Sequence, residues 1–170
     1  HLIKDLLDLS SYESGTFTIV KAPFDFSALI LDTVEKYRRA LHEKQVSLDV
    51  EIPEQCIMNA DKLRIEQIIS NFMSNAQAYV KTNGLIKVRL EKLSDTVCMS
   101  VMNSGSDIPE DELENIWTSF YKIQSSKSHT NTGIGLGLAI VKAIVELHKG
   151  SYGIENMEDG VRFWIKLPLA

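Results

Sequence analysis

The chain holds no apolar run long enough to cross a bilayer, because Lys142 interrupts its most hydrophobic stretch. It carries no secretory signal pattern either. Its only cysteines, Cys56 and Cys98, lack metal-type spacing, and each lies in an apolar, strand-like run, the pattern of buried free thiols in a reducing compartment. Basic charge is also short. Lys and Arg number 18 against 23 acids, a net charge of −5, which excludes a nucleic-acid partner held by bulk charge. Three phosphate-handling signatures are missing as well: there is no GxxxxGK[ST] string, no HRD or DFG, and no strand directly before the glycine-rich run, which follows "SSKSHTNT".

What is present suits one globular domain with an appendage: 170 residues, 44% of them hydrophobic. The opening "HLIKDLLDLSSYESG" starts without methionine and in mid-helix, as an excised fragment would. Its narrow stripe of Leu2, Ile3, Leu6, Leu7 and Leu9 predicts a helix that needs a partner helix. "TFTIVKAPF" reads as a short strand closed by Pro23, and Asp25 or Ser27 caps a helix with Ile30, Val34, Tyr37 and Leu41 in register. "VSLDVEI" and "CIMNA" are strands, and Asp61 caps a second long helix built on Ile65, Ile68, Phe72 and Ala76. "LIKVRLEKL" and "TVCMSVM" form a hairpin, Pro109 opens a short helix through "EDELENIW", and Thr118 to Thr132 reads as a mobile polar loop. A helix from Leu136 to about His148 and a closing hairpin that turns at "MEDG" complete a mixed sheet covered on one face by helices.

Three stretches invite chemistry. "NTGIGLGLAI" sets Gly133, Gly135 and Gly137 before a helix, whose unpaired N–H groups attract anions; glycine there serves either a phosphate nest or a tight loop-to-helix junction. "NFMSNAQAY" puts Asn71 and Asn75 on one helix face, where a carboxamide oxygen could complete an octahedral Mg²⁺ or merely be solvated. "NSGSDIP" places Asn103 at a strand end, suited to an adenine edge or to an ordinary turn.

In their order and spacing these stretches resemble the N box and the two glycine boxes of the ATP-binding catalytic domain of bacterial sensor histidine kinases, with "SFYK" resembling the F box. The Asn-Ser-Gly variant is similar to that of vancomycin-resistance-type sensors. The resemblance implies an α/β (α+β) two-layer sandwich, the Bergerat fold, with a mobile ATP lid. It divides the chain into 1–15, the end of the second dimerisation and histidine-phosphotransfer helix, and 16–170, the ATP-binding domain. It implies ATP and Mg²⁺, with Asn75 as the metal ligand, Asn71 a supporting contact, and Tyr79 beside adenine and ribose. Asn103 replaces the usual aspartate on the adenine amino group; Gly105 and Ile108 shape the rim. Lys122 is a basic lid position, with Lys127 and His129 weaker ones and Phe120 either a lid anchor or a core aromatic. Gly133, Gly135, Leu136, Gly137 and Leu138 surround the phosphates. Asp107 and Ala78 depart from the pattern, which usually has glycine and a basic residue there.

The ATPases of this fold carry a glutamate at the position of Asn71 to activate water, whereas an amide is no general base, so the resemblance implies phosphotransfer rather than hydrolysis. The implied reaction moves the γ-phosphoryl group of ATP to a histidine outside this fragment, and a response regulator receives it next. The implied setting is a homodimeric membrane sensor whose cytoplasmic part contains this fragment, itself touching neither membrane nor nucleic acid. Alternative readings are a degenerate nucleotide-sensing or partner-binding domain and an anti-sigma-factor-type serine kinase.

Overall fold

In the computed structural model the described residues are 2–122 and 135–170. Helix α1 (Leu2–Glu13) precedes strand β1 (Ala22–Asp25), α2 (Phe26–Glu43), β2 (Ser47–Glu51), β3 (Ile57–Ala60) and α3 (Lys62–Tyr79). Then come β4 (Leu85–Lys92), β5 (Thr96–Ser104), α4 (Gly137–Leu147), β6 (Ser151–Met157) and β7 (Gly160–Pro168).

Local chemistry starts the helices where the sequence suggested. The Asp25 carboxylate accepts from the Ser27 and Ala28 amides and opens α2, and the Asp61 carboxylate accepts from the Arg64 amide and opens α3. Asp25 also accepts from the Cys56 amide at 3.1 Å, which ties the start of α2 to the approach of β3.

The strands form a two-stranded antiparallel sheet, β1–β3, and a five-stranded sheet in the order β2–β4–β5–β7–β6. In the larger sheet only β2–β4 is parallel. Alternation sets its faces: Ile86, Val88 and Leu90 of β4 are buried, while Arg89 pairs outward with Glu51 at 2.8 Å. The buried face meets α3 and α4 through Ile65, Ile68, Phe72, Ile140 and Ile144, with the Phe72 and Phe163 rings 5.8 Å apart. This is the expected two-layer α/β sandwich with a mixed sheet.

Several expectations change. The first strand is Ala22–Asp25 alone, with Pro23 inside it; a two-stranded sheet leaves an outer side on which the missing N–H costs nothing. "EDELENIW" makes two 3-10 turns, Glu110–Glu112 and Asn115–Trp117, rather than one α-helix. Of the expected stripe on α1, Leu9 is buried, whereas Ile3, Leu6 and Leu7 are exposed. The helix packs on α4 through the stripe residue Leu9 and through Tyr12. Cys56 is buried and free as expected, but Cys98, on the outer face of β5, is only half-buried.

Two long-range polar links fix the ends of the helices. His148, 3% exposed after α4, contacts the Ile144 carbonyl through Nδ1 and accepts the Asp61 amide on Nε2 at 3.1 Å. Burial holds its pKa below the ordinary histidine value. Arg64 reaches back to α1 and pairs with Asp8 at 2.7 Å.

Candidate functional site

The second half of α3 presents Asn71, Asn75 and Tyr79 along one face. The Asn71 carboxamide nitrogen donates to the Gly137 carbonyl at 3.1 Å, and a Cβ added to Gly137 would lie 3.4 Å from Asn71 Oδ1. This face of α3 therefore abuts the first turn of α4. Leu136, the expected helix start, occupies the cap of α4, which begins one residue later at Gly137, and supplies no side-chain acceptor. The first-turn amides, at the positive end of α4, keep no side-chain partner among the described residues. Leu136 is buried and Leu138 half-buried.

Asn75 is half-buried, and its carboxamide bonds no described residue. Tyr79, at the end of the helix, is 48% exposed. Asn103, 4% exposed, sits on the buried face of β5 between Ile86 and Val161, and its carboxamide likewise has no partner among the described residues.

The β5 exit is pressed against the end of α3. The Lys81 amide donates to the Ser104 carbonyl at 3.1 Å, and a Cβ on Gly105 would come within 2.9 Å of the Tyr79 carbonyl. Only glycine permits this approach. Asn103, Gly105 and Tyr79 are thus brought to one edge, while Asn71, Asn75 and Gly137 form the other end of the same α3 face. Ile108 is half-buried in the loop after Gly105, its main chain held by Asn156 through two hydrogen bonds of 2.9 and 2.7 Å. Asn156 carried no motif signal; its role depends on a fold contact 48 residues away.

Of the expected lid, the described residues include only its base. The Phe120 amide donates to the Gly135 carbonyl at 2.9 Å, and Gly135 has φ +79 with an added Cβ 2.7 Å from the Tyr121 carbonyl. Phe120 itself has φ +64 and is 59% exposed, so it is neither a core aromatic nor packed as an anchor. The Tyr121 hydroxyl donates to the Glu112 carboxylate, which raises the phenol pKa. Lys122 is exposed. Gly133, Lys127, His129 and most of the expected mobile loop lie outside the described residues.

Among the described residues no three His, Cys, Asp or Glu side chains gather as a metal site. A hard cation here would take an amide oxygen together with phosphate and water oxygens, and the Asn75 carboxamide, which bonds no described residue, fits that role. A separate groove of about 490 Å³ lies between α1, α4 and Trp117–Ser119, lined by Leu9, Tyr12 and Lys142, and includes none of these residues. No described helix is long and apolar enough to cross a membrane.

Residues 60–170 match the family described as "Histidine kinase-, DNA gyrase B-, and HSP90-like ATPase". The circadian input-output histidine kinase CikA of Synechococcus elongatus is 33% identical over 98% of this chain, which spans 23% of CikA. The nucleotide-free catalytic domain of histidine kinase ThkA superposes with a TM-score of 0.80 at 30% identity, over 88% of this chain and 96% of that one; ThkA has also been solved with its response regulator protein TrrA. Full-length ShkA in complex with AMPPNP gives a TM-score of 0.87 at 25% identity, over 99% of this chain and 35% of that one.

Proposed function

The chain belongs to the histidine kinase-, DNA gyrase B- and HSP90-like ATPase family and is an ATP-binding catalytic domain of the sensor histidine kinase type, and from that premise we propose that it binds Mg²⁺-ATP along the α3 face and transfers the γ-phosphoryl group to a protein histidine. The observation that carries this reading is that the carboxamides of Asn75 and Asn103, which bond no described residue, lie with the start of α4, which has no side-chain cap among the described residues. In this assignment the Asn103 oxygen accepts from the adenine amino group, and Gly105, Ile108 and Tyr79 border the base and ribose. The amides of Gly137 and Leu138 receive phosphate oxygens. Gly133, Gly135 and Lys122 belong to the lid end of the same site. Asn75 would hold Mg²⁺, which supplies charge neutralisation across the phosphate oxygens.

Asn71 is no base. Its amide links α3 to Gly137 and keeps the metal and phosphate ends of the site in register. Nothing in the transfer requires a base to make the nucleophile, because a neutral imidazole nitrogen attacks the γ-phosphorus as the bond to the ADP oxygen breaks. The proton leaves the other ring nitrogen. We assign residues 1–15 to the end of a dimerisation and phosphotransfer helix, with the acceptor histidine in that domain, a homodimeric parent in the membrane, and a response regulator as the next acceptor.

The test is labelling from γ-radiolabelled ATP of a separately supplied, histidine-bearing dimerisation fragment. Acid-labile label that is lost with Asn75→Ala is expected. Equal label with Asn75→Ala removes the metal assignment, and no label with any kinase-type acceptor removes the transfer reaction.

A further inference from the structure

Register places Asn103 and Asn156 in a single row. Val161 of β7 stands opposite Asn103 of β5 on one side and opposite Asn156 of β6 on the other. The two asparagines therefore share a sheet face, two strand spacings or roughly 10 Å apart. The loop that leaves Asn103 returns to this row. The Gly105 amide donates to the Asp159 carbonyl at 3.1 Å, and Asn156 brackets Ile108, Oδ1 accepting its amide at 2.9 Å and Nδ2 donating to its carbonyl at 2.7 Å. The end of β6, through Asn156, and the turn into β7, through Asp159, thus grip the two ends of the segment 105–108. The Asn156 side chain is exposed, so its own burial does not account for its place.

We propose that Asn156 is a positioning residue for base recognition: by clamping the Ile108 main chain it sets the rim against which Asn103 reads adenine. The proposal rests on the nucleotide reading above and concerns its base end alone. Two hydrogen bonds with good geometry hold a loop that otherwise has many conformations, and the ordering cost they remove would reappear in binding.

The experiment compares the intact chain with Asn156→Ala and Asn156→Asp, titrated calorimetrically with Mg²⁺-ATP, Mg²⁺-GTP and Mg²⁺-tripolyphosphate, with exchange of the Ile108 amide followed by NMR. Asn156→Ala is expected to weaken ATP about five- to tenfold, to lower the ATP-to-GTP preference, to leave tripolyphosphate unchanged, and to speed Ile108 exchange. Asn156→Asp keeps the acceptor for the Ile108 amide and loses the donor, so Ile108 protection persists while ATP still weakens. ATP affinity within twofold of wild type in both variants overturns the proposal, as does an equal loss for tripolyphosphate. Wild-type protein that binds no nucleotide at millimolar concentration overturns the nucleotide reading and the clamp with it.

Discussion

Replacing Arg64 by alanine should loosen α1 from the catalytic body, by an amount that follows from the contacts. Arg64 Nη1 meets Asp8 at 2.7 Å with the two side chains 18% and 15% exposed, well removed from the solvent that weakens surface pairs. The guanidinium also lies 4.5 Å from the Phe17 ring centroid. Tyr12 beside it cannot replace the lost cation, since a phenol carries no positive charge; burial pushes its pKa up to about 12, so it stays neutral. Breaking one side of a fully buried pair costs ~3–5 kcal/mol. Here α1 can swing Asp8 into water, so ~3 kcal/mol is expected for Arg64→Ala, of which ~1 kcal/mol is the cation–π contact. Asp8→Ala should cost ~2 kcal/mol and the double variant ~3.5 kcal/mol, leaving a coupling of ~1.5 kcal/mol. Urea unfolding of the four proteins, read by tryptophan fluorescence, measures this. Arg64→Ala should also lower Tm by ~6–12 °C. A coupling below ~0.5 kcal/mol would refute the latch.

Three further outcomes follow from single contacts. His148 is held neutral, so between its depressed folded pKa and the ordinary 6.5 the unfolded chain binds more protons and stability is lost as pH falls; each pH unit in that window should cost up to ~1.4 kcal/mol, and His148→Gln should be less stable at neutral pH yet lose this slope in urea titrations. An unchanged slope would show that other groups govern it. Gly105→Ala should weaken ATP and cost ~1–3 kcal/mol, because its Cβ would press on the Tyr79 carbonyl; wild-type stability and affinity would show that the strand exit is free to move. Asn103→Asp should strengthen ATP severalfold in calorimetry by making the bond to the adenine amino group charge-assisted, and unchanged or weaker binding would count against that contact.

Most of the fold was legible because its determinants are local. Asp25 and Asp61 sit at their caps, and Ile86, Val88 and Leu90 alternate with charged neighbours, so these elements declare themselves within a few residues. Pro23 misled because a strand tolerates proline only on an unpaired side, which only topology reveals. How α1 docks was not legible either, because Arg64, which holds it, is 56 residues from Asp8. At the candidate site Asn71 of α3 bonds Gly137 of α4, and Gly105 after β5 meets the Tyr79 carbonyl. The exposure of Phe120 was not legible, because a left-handed backbone at a non-glycine residue is imposed by loop closure on Gly135. Asn156 was invisible because a lone asparagine near a turn has many uses, and only the fold brings it to Ile108.

The central claim meets its most direct test in amide chemical-shift mapping of the chain as Mg²⁺-AMPPNP is added. Saturable shifts are expected at Asn75, Asn103, Gly105, Ile108, Gly137 and Leu138, with no matching change on omission of nucleotide. Shifts confined to Leu9, Trp117 and Lys142 around the separate groove, or none at millimolar ligand, would contradict the account.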